Sequence, residues 1–181
     1  MDAVKKIVPT KPIKYVINTH SHFDHSGGLR TYAADGATII THHDNVPYYE
    51  QVWATPRTIR PDRLSKSGRK AIFEGVVGSR ALRDETRELV IYHYPGNMHN
   101  AGMLMVYLPK EKILVEADSY TPPANANDPP GAIPNLVHFY EAVQRLKLDI
   151  DQIVPIHGRL ATEDEVRHAI DAYGHTQTWP R

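Results

Sequence analysis

His20-Ser21-His22-Phe23-Asp24-His25 sets three imidazoles and a carboxylate in one short stretch, and Ser26-Gly27-Gly28 follows at once. Imidazole nitrogen and carboxylate oxygen both suit Zn²⁺, and a set without thiolate that keeps a coordination position for water is of the catalytic type. The apolar run Ile13 to Thr19 precedes the cluster and reads as a β-strand, so the ligands lie where a strand ends. Alternate residues of an extended segment point the same way. His20 and His22 can therefore share one metal, while Asp24 and His25, past the bend, reach toward a second.

The pattern H-x-H-x-D-H resembles the signature of the metallo-β-lactamase-fold hydrolases, and further residues stand in order at the family's remaining ligand positions. His99 precedes the apolar run Met103 to Leu108, Asp118 closes Ile113 to Asp118, and His157 closes Ile153 to His157. Each lies where a strand-like run meets a loop, the usual place for binding residues on a rigid scaffold. The resemblance implies one zinc on His20, His22 and His99, a second on Asp24, His25 and His157, and Asp118 bridging them. It implies two Zn²⁺ per chain and a bridging hydroxide as nucleophile, with Asp24 orienting that nucleophile and carrying its proton. His25 and Asp118 are closer to the thioesterase, lactonase and phosphodiesterase branches than to the β-lactamase branch. Tyr120, near Asp118, has two readings: an oxyanion donor, or a loop tyrosine with a wet hydroxyl.

The implied fold is α/β (α+β), a partial four-layered αβ/βα metallo-β-lactamase sandwich covering the C-terminal two-thirds of the typical domain, with 1–181 as one domain. Few residues precede the first histidine. The chain is therefore read as a fragment or a short variant, with an exposed sheet that a homodimer or larger assembly would cover.

The elements that must hold these residues can be read in order. Residues 2–8 suggest a helix end stopped by Pro9 and Pro12. A strand over 13–18 leads into the ligand loop. A short helix over Leu29 to Ala34, a strand over Ala37 to Thr41 and a helix from Asp44 or Asn45 to Ala54 follow. Residues 55–70, with Arg57, Arg60, Arg63, Lys66, Arg69 and Lys70 among prolines and glycine, read as an irregular basic loop. It is either a solvated surface or a lid that grips a carboxylate or phosphate. Runs at 71–77, 88–94, 102–108 and 113–117 predict a mostly antiparallel sheet. A proline-rich loop over 119–134, a helix over Asn135 to Lys147 and a strand over 152–156 come next. Thr162-Glu163-Asp164-Glu165 is a capping box for a helix through about Tyr173.

The bulk properties narrow the function. At 181 residues with 41% hydrophobic and 23% charged residues, the chain is long enough for one packed domain. A formal net charge of +0 gives no global electrostatic case for nucleic acid or an anionic membrane. Cysteine is absent, so thiolate ligands and disulfides are excluded and the compartment stays open. No leader-like or membrane-length apolar run occurs, and the chain reads as soluble without a signal peptide. The leading function is hydrolysis of an ester, lactone, thioester or amide bond in a small molecule. The alternatives are phosphodiester or nucleic-acid cleavage, and a truncated zinc-binding module without activity. His42 and His43 read as capping or surface residues. His93, His138, His168 and His175 read as structural.

Overall fold

The computed structural model describes residues 1–125, 128–131 and 133–173, and the chain divides into two compact units, Met1–Val76 and Val77–Arg181. His175 and the tail lie outside the described residues. So do three residues, 126, 127 and 132, within the proline-rich 119–134 stretch.

The first unit runs α1 (Asp2–Ile7), β1 (Tyr15–Ile17), α2 (Phe23–Ser26), α3 (Leu29–Ala34), β2 (Thr38–His42), α4 (Asn45–Ala54), α5 (Arg63–Ser67) and β3 (Ile72–Val76). Its three strands are all parallel, in the order β1-β2-β3, with Val16 opposite Ile39 and Ile40 opposite Glu74. Parallel neighbours cannot be joined by a tight turn. α2 with α3, and α4 with α5, supply the two crossovers. Ile39 and Ile40 are both fully buried, so the central strand is covered on both faces. Leu29, Ala33, Tyr49 and Leu64 pack with Trp53 and Phe73, and the Tyr49 and Phe73 rings stack with centroids 5.8 Å apart.

The second unit runs β4 (Ser79–Arg83), β5 (Glu88–His93), β6 (Leu104–Leu108), β7 (Ile113–Glu116), α6 (Ile133–Leu146), β8 (Gln152–Pro155) and α7 (Glu163–Tyr173). Its sheet order is β4-β5-β6-β7-β8, antiparallel from β4 to β7 and parallel between β7 and β8. Leu136, Phe139 and Val143 recur at helical spacing on α6 and join Tyr94, Met103, Met105, Leu114 and Ile153 in the core. One half of the expected capping box forms, the Glu165 N–H donating to the Thr162 hydroxyl at 3.2 Å, while the Glu165 carboxylate accepts from Arg159 at 2.6 Å.

The expected α/β class is found, with two sheets and their helices, and three details differ. Residues 72–76 belong to the parallel sheet of the first unit rather than to the antiparallel one. β4 was not expected; it pairs with β5 from Ser79↔Tyr92 to Arg83↔Glu88. The basic stretch is not wholly irregular, because Asp62 caps α5 by accepting from the Ser65 N–H at 2.9 Å. Its arginines are partly spent inside the unit: Arg57 pairs with Asp62, and Arg63 with Asp35. Among the described residues, no helix is long and apolar enough to cross a membrane.

Candidate metal centre

In the first unit the ligand loop leaves β1 through Asn18 and Thr19. Asn18 is buried, and its amide donates to the carbonyls of His20 (2.7 Å) and His25 (3.3 Å). Its Oδ1 accepts from the Tyr49 hydroxyl at 2.7 Å and the Thr41 hydroxyl at 3.1 Å. Asn45 in turn donates to Thr41 at 3.2 Å. One amide therefore ties both ends of the loop to β2 and α4. Burial pushes the Tyr49 hydroxyl up to about 12, so it stays a donor.

Held this way, His20 is fully buried, with its ring centroid 4.7 Å from that of His22 and 4.2 Å from that of His25. The donor atoms of His20 and His22 lie within 4.8 Å of each other, as do those of Asp24 and His25. The Thr19 hydroxyl stands 3.2 Å from His20 Nδ1, the kind of outer partner that fixes an imidazole's orientation. Asp24 Oδ2 is 3.1 Å from His25 Nε2; the Asp24 side chain is 60% exposed and that of His25 only 5%. Gly27 is required by space, since a Cβ there would stand 2.9 Å from the Phe23 carbonyl oxygen.

In the second unit Asp118 follows β7 with φ of 61°, a left-handed backbone uncommon for a residue with a side chain. Its carboxylate is split between two imidazoles, with Oδ2 3.1 Å from His99 Nε2 and Oδ1 3.2 Å from His157 Nε2. A buried network sets this up. The Ser119 hydroxyl meets the Tyr94 hydroxyl at 2.7 Å and accepts from the Asn97 amide at 3.2 Å. Asn97 Oδ1 takes the His99 N–H at 2.8 Å. Glu116 Oε2 accepts from the N–H groups of Ser119 and Tyr120 at 3.0 and 3.3 Å. Burial nevertheless pushes Glu116 up to about 8, and its Oε1 is buried without a hydrogen-bond partner. Gly158, with φ of 92°, lets the chain after His157 pass the Pro122 carbonyl, which a Cβ would meet at 2.9 Å.

Tyr120 packs into the core of the second unit, and burial raises the pKa of its hydroxyl. Asn100 closes its turn by accepting the Gly102 N–H at 2.9 Å. His93 and His138 bond the carbonyls of Ala101 (2.9 Å) and Pro95 (3.0 Å), and His168 is exposed on α7. The supporting residues were not singled out in the sequence. Asn18 carries a signal, as a polar residue ending an apolar strand, and so does Asn97, two positions before His99. Ser119 and Glu116 carry none. The chemistry of the donors, imidazole and carboxylate only, fits a divalent metal ion.

The sequence pattern of the metallo-beta-lactamase superfamily matches residues 4–157. The chain is similar to the 2,4-dinitroanisole O-demethylase subunit alpha of Nocardioides sp. (strain JS1661), 30% identical over 123 residues, which are 65% of this chain and 32% of the relative. It is also similar to the acyl-coenzyme A thioesterase MBLAC2 of Gallus gallus, 33% identical over 116 residues, 56% of this chain and 40% of the relative. The chain thus spans well under half the length of these curated relatives. Among solved structures, a metallo-beta-lactamase from Pontibacter korlensis superposes with a TM-score of 0.66 at 18% identity, covering 96% of this chain and 74% of that one. That likeness concerns the fold.

Proposed function

We propose, because the chain belongs to the metallo-beta-lactamase superfamily, that it is a dinuclear zinc hydrolase of a small-molecule ester, lactone, thioester or amide. His20, His22 and His99 would hold one ion, and Asp24, His25 and His157 the other, with Asp118 between them. The observation that carries this reading is the Asp118 carboxylate, turned so that each oxygen faces a different histidine. Bound divalent ions supply Lewis acidity, which makes water nucleophilic near neutral pH and polarises a scissile carbonyl.

The chain's own residues do the rest. Asp24, 60% exposed, is the carboxylate that orients the attacking water and takes its proton. Asp118 keeps its two imidazoles apart and oriented. The Ser119 and Asn97 network fixes the backbones on which Asp118 and His99 stand. Tyr120 is a neutral phenol, the form that can donate to an oxyanion. The thioesterase relative favours a thioester within the substrate class. Self-association is part of this reading. Apolar side chains on the outer strands of the first sheet support it, Tyr15 being 46% exposed and Ile72 57%.

Elemental analysis for zinc and iron, mass in solution, and a turnover panel test the proposal. The panel holds an acyl thioester, a lactone, an aryl ester, an amide and 2,4-dinitroanisole. Two zincs per chain and turnover of a carbonyl substrate are expected. His22→Ala and Asp118→Asn should each lose at least one metal equivalent. Each should also lose more than the roughly 10–100-fold typical of outer partners of a ligand. An Asp118→Asn chain with both zincs and full turnover would overturn the bridging role.

A further inference from the structure

We infer that a cavity in the first unit, walled by Trp53 and Phe73 and edged by Arg30, Arg69 and Lys70, binds a phosphate monoester carried on a flat aromatic body. The cavity has a volume of about 500 Å³, within the range of small-molecule sites. All of its lining residues lie between Arg30 and Phe73, so it belongs to one unit. It gives the basic stretch an anion to grip, one of the two roles that its composition allows.

The charges around the cavity do not balance. Arg30 donates to Asp62 through Nε and Nη2, and Nη2 also donates to the Ser65 hydroxyl at 3.2 Å. Its Nη1 is buried without a hydrogen-bond partner, in a residue only 9% exposed. The Trp53 ring, with its centroid 5.3 Å from the guanidinium carbon, attracts the charge but offers Nη1 no oxygen. Leaving such a donor unpaired is costly, and a ligand oxygen would satisfy it. Arg57 shares Asp62 with Arg30, whereas Arg69 and Lys70 have no ion pair among the described residues. Glu50 is the one carboxylate in the lining. Arg30, Arg57, Arg69 and Lys70 thus stand against Asp62 and Glu50, an excess of two positive charges. That excess matches the doubly charged phosphate of a monoester better than a carboxylate.

The remaining wall is apolar and held in place. The half-buried rings of Trp53 and Phe73 have centroids 5.1 Å apart at 53°, and both pack on the core that includes Leu64. Leu64 and Ala71 line the cavity beside them. Aromatic walls of this kind take a flat ring by offset or edge contact. Asp62 caps α5 and, through Arg30, ties it to α3, so the two helices that carry Leu64 and Arg30 are fastened to each other. The aromatic body of the ligand lies on the apolar wall, and its phosphate meets the charge-assisted donors of the basic edge.

The test is calorimetric titration of the full chain with naphthylmethylphosphonate, a dianion that cannot be hydrolysed, before and after chelator treatment. One binding event per chain is expected, retained after chelator treatment and in His22→Ala, so the result does not depend on the metal centre. Naphthoate and inorganic phosphate should each bind at least roughly tenfold more weakly, since one lacks the second charge and the other the ring. Arg69→Ala and Lys70→Ala fall on exposed residues without an ion pair. Each should weaken the phosphonate about tenfold, the size of one hydrogen bond to a charged group, and matching thermal transitions would show that both variants fold. Added salt should weaken binding to the parent. No saturable binding, binding lost with the metal, or equal affinity in the parent and both variants would overturn the site. Equal affinity for naphthoate would overturn the assignment to a phosphate.

Discussion

Asn18→Ala removes no metal ligand, yet it should weaken both the first unit and its hold on metal. Truncation leaves the His20 carbonyl without its 2.7 Å donor and the Tyr49 hydroxyl without its 2.7 Å acceptor. Each buried polar group left unpaired costs about 1–3 kcal/mol. Ser26 lies near enough to the Tyr49 hydroxyl to replace part of that bond, which puts the sum in the lower half of the resulting range of about 2–6 kcal/mol, at about 3 kcal/mol. For a chain of this size that is roughly 10 °C in Tm. Tyr49→Phe keeps the ring stacked on Phe73 and removes one donor, which costs about 1 kcal/mol. The double variant should cost less than the sum, because Phe leaves no orphan hydroxyl. Melting of the chelator-treated chains, followed by circular dichroism, measures the series. Competition with a zinc-binding dye should show about tenfold weaker metal binding in Asn18→Ala. A Tm within ~2 °C of the parent together with unchanged affinity would refute the role given to Asn18.

Three further outcomes are expected. With φ of 61° at Asp118, Asp118→Gly should melt above Asp118→Ala by about 1 kcal/mol, or ~2–4 °C, although both lose the ligand; equal melting would mean the backbone there is unstrained. Burial raises Glu116 from 4.5 to about 8, so between those values the folded chain holds a proton that the unfolded chain has released, and stability falls as pH rises through that window. Glu116→Gln, which cannot titrate, should flatten this part of the metal-free profile, and parallel profiles would count against the buried proton. The hydrogen bond from Arg30 holds Asp62 well below the usual carboxylate range, so its contribution is complete above the ordinary value of 3.8 and shrinks as pH falls below it. Denaturant titrations should therefore show the advantage of the parent over Asp62→Asn narrowing on acidification, and a constant gap would contradict the pairing.

The candidate loop stood out because its chemistry is concentrated: His20 to His25 lie in one stretch, and no packing rule asks for that density of imidazoles. The helices at Leu29–Ala34 and Asn45–Ala54 were legible from their punctuation, Gly36 after the first and Asp44 before the second. Strand partnership was not. Ile72–Val76 has the same β-forming composition whether it pairs with β2 or β5, and its parallel pairing with β2 is a long-range choice that no periodicity reports. β4 escaped notice because Arg80 and Arg83 dilute a strand without β-branched residues. Helix α5 was hidden by its charge, although Asp62 before it and Gly68 after it, with φ of 67°, form an ordinary pair of caps. Burial of Glu116 and Tyr120 could not be read, because both follow from long-range packing of the second unit.

The hydrogen bonds of Asn18 have a consequence for synthesis. Every partner of that amide lies between His20 and Tyr49. All atoms needed to shape the loop of His20, His22, Asp24 and His25 have therefore left the peptidyl-transfer centre before the second unit begins at Val77. At about 5–20 residues per second, the ribosome takes roughly 4–16 s more to reach His157. Throughout that interval the chain already holds every residue that bonds the Asn18 side chain, so the shape of this loop asks for nothing from the second unit.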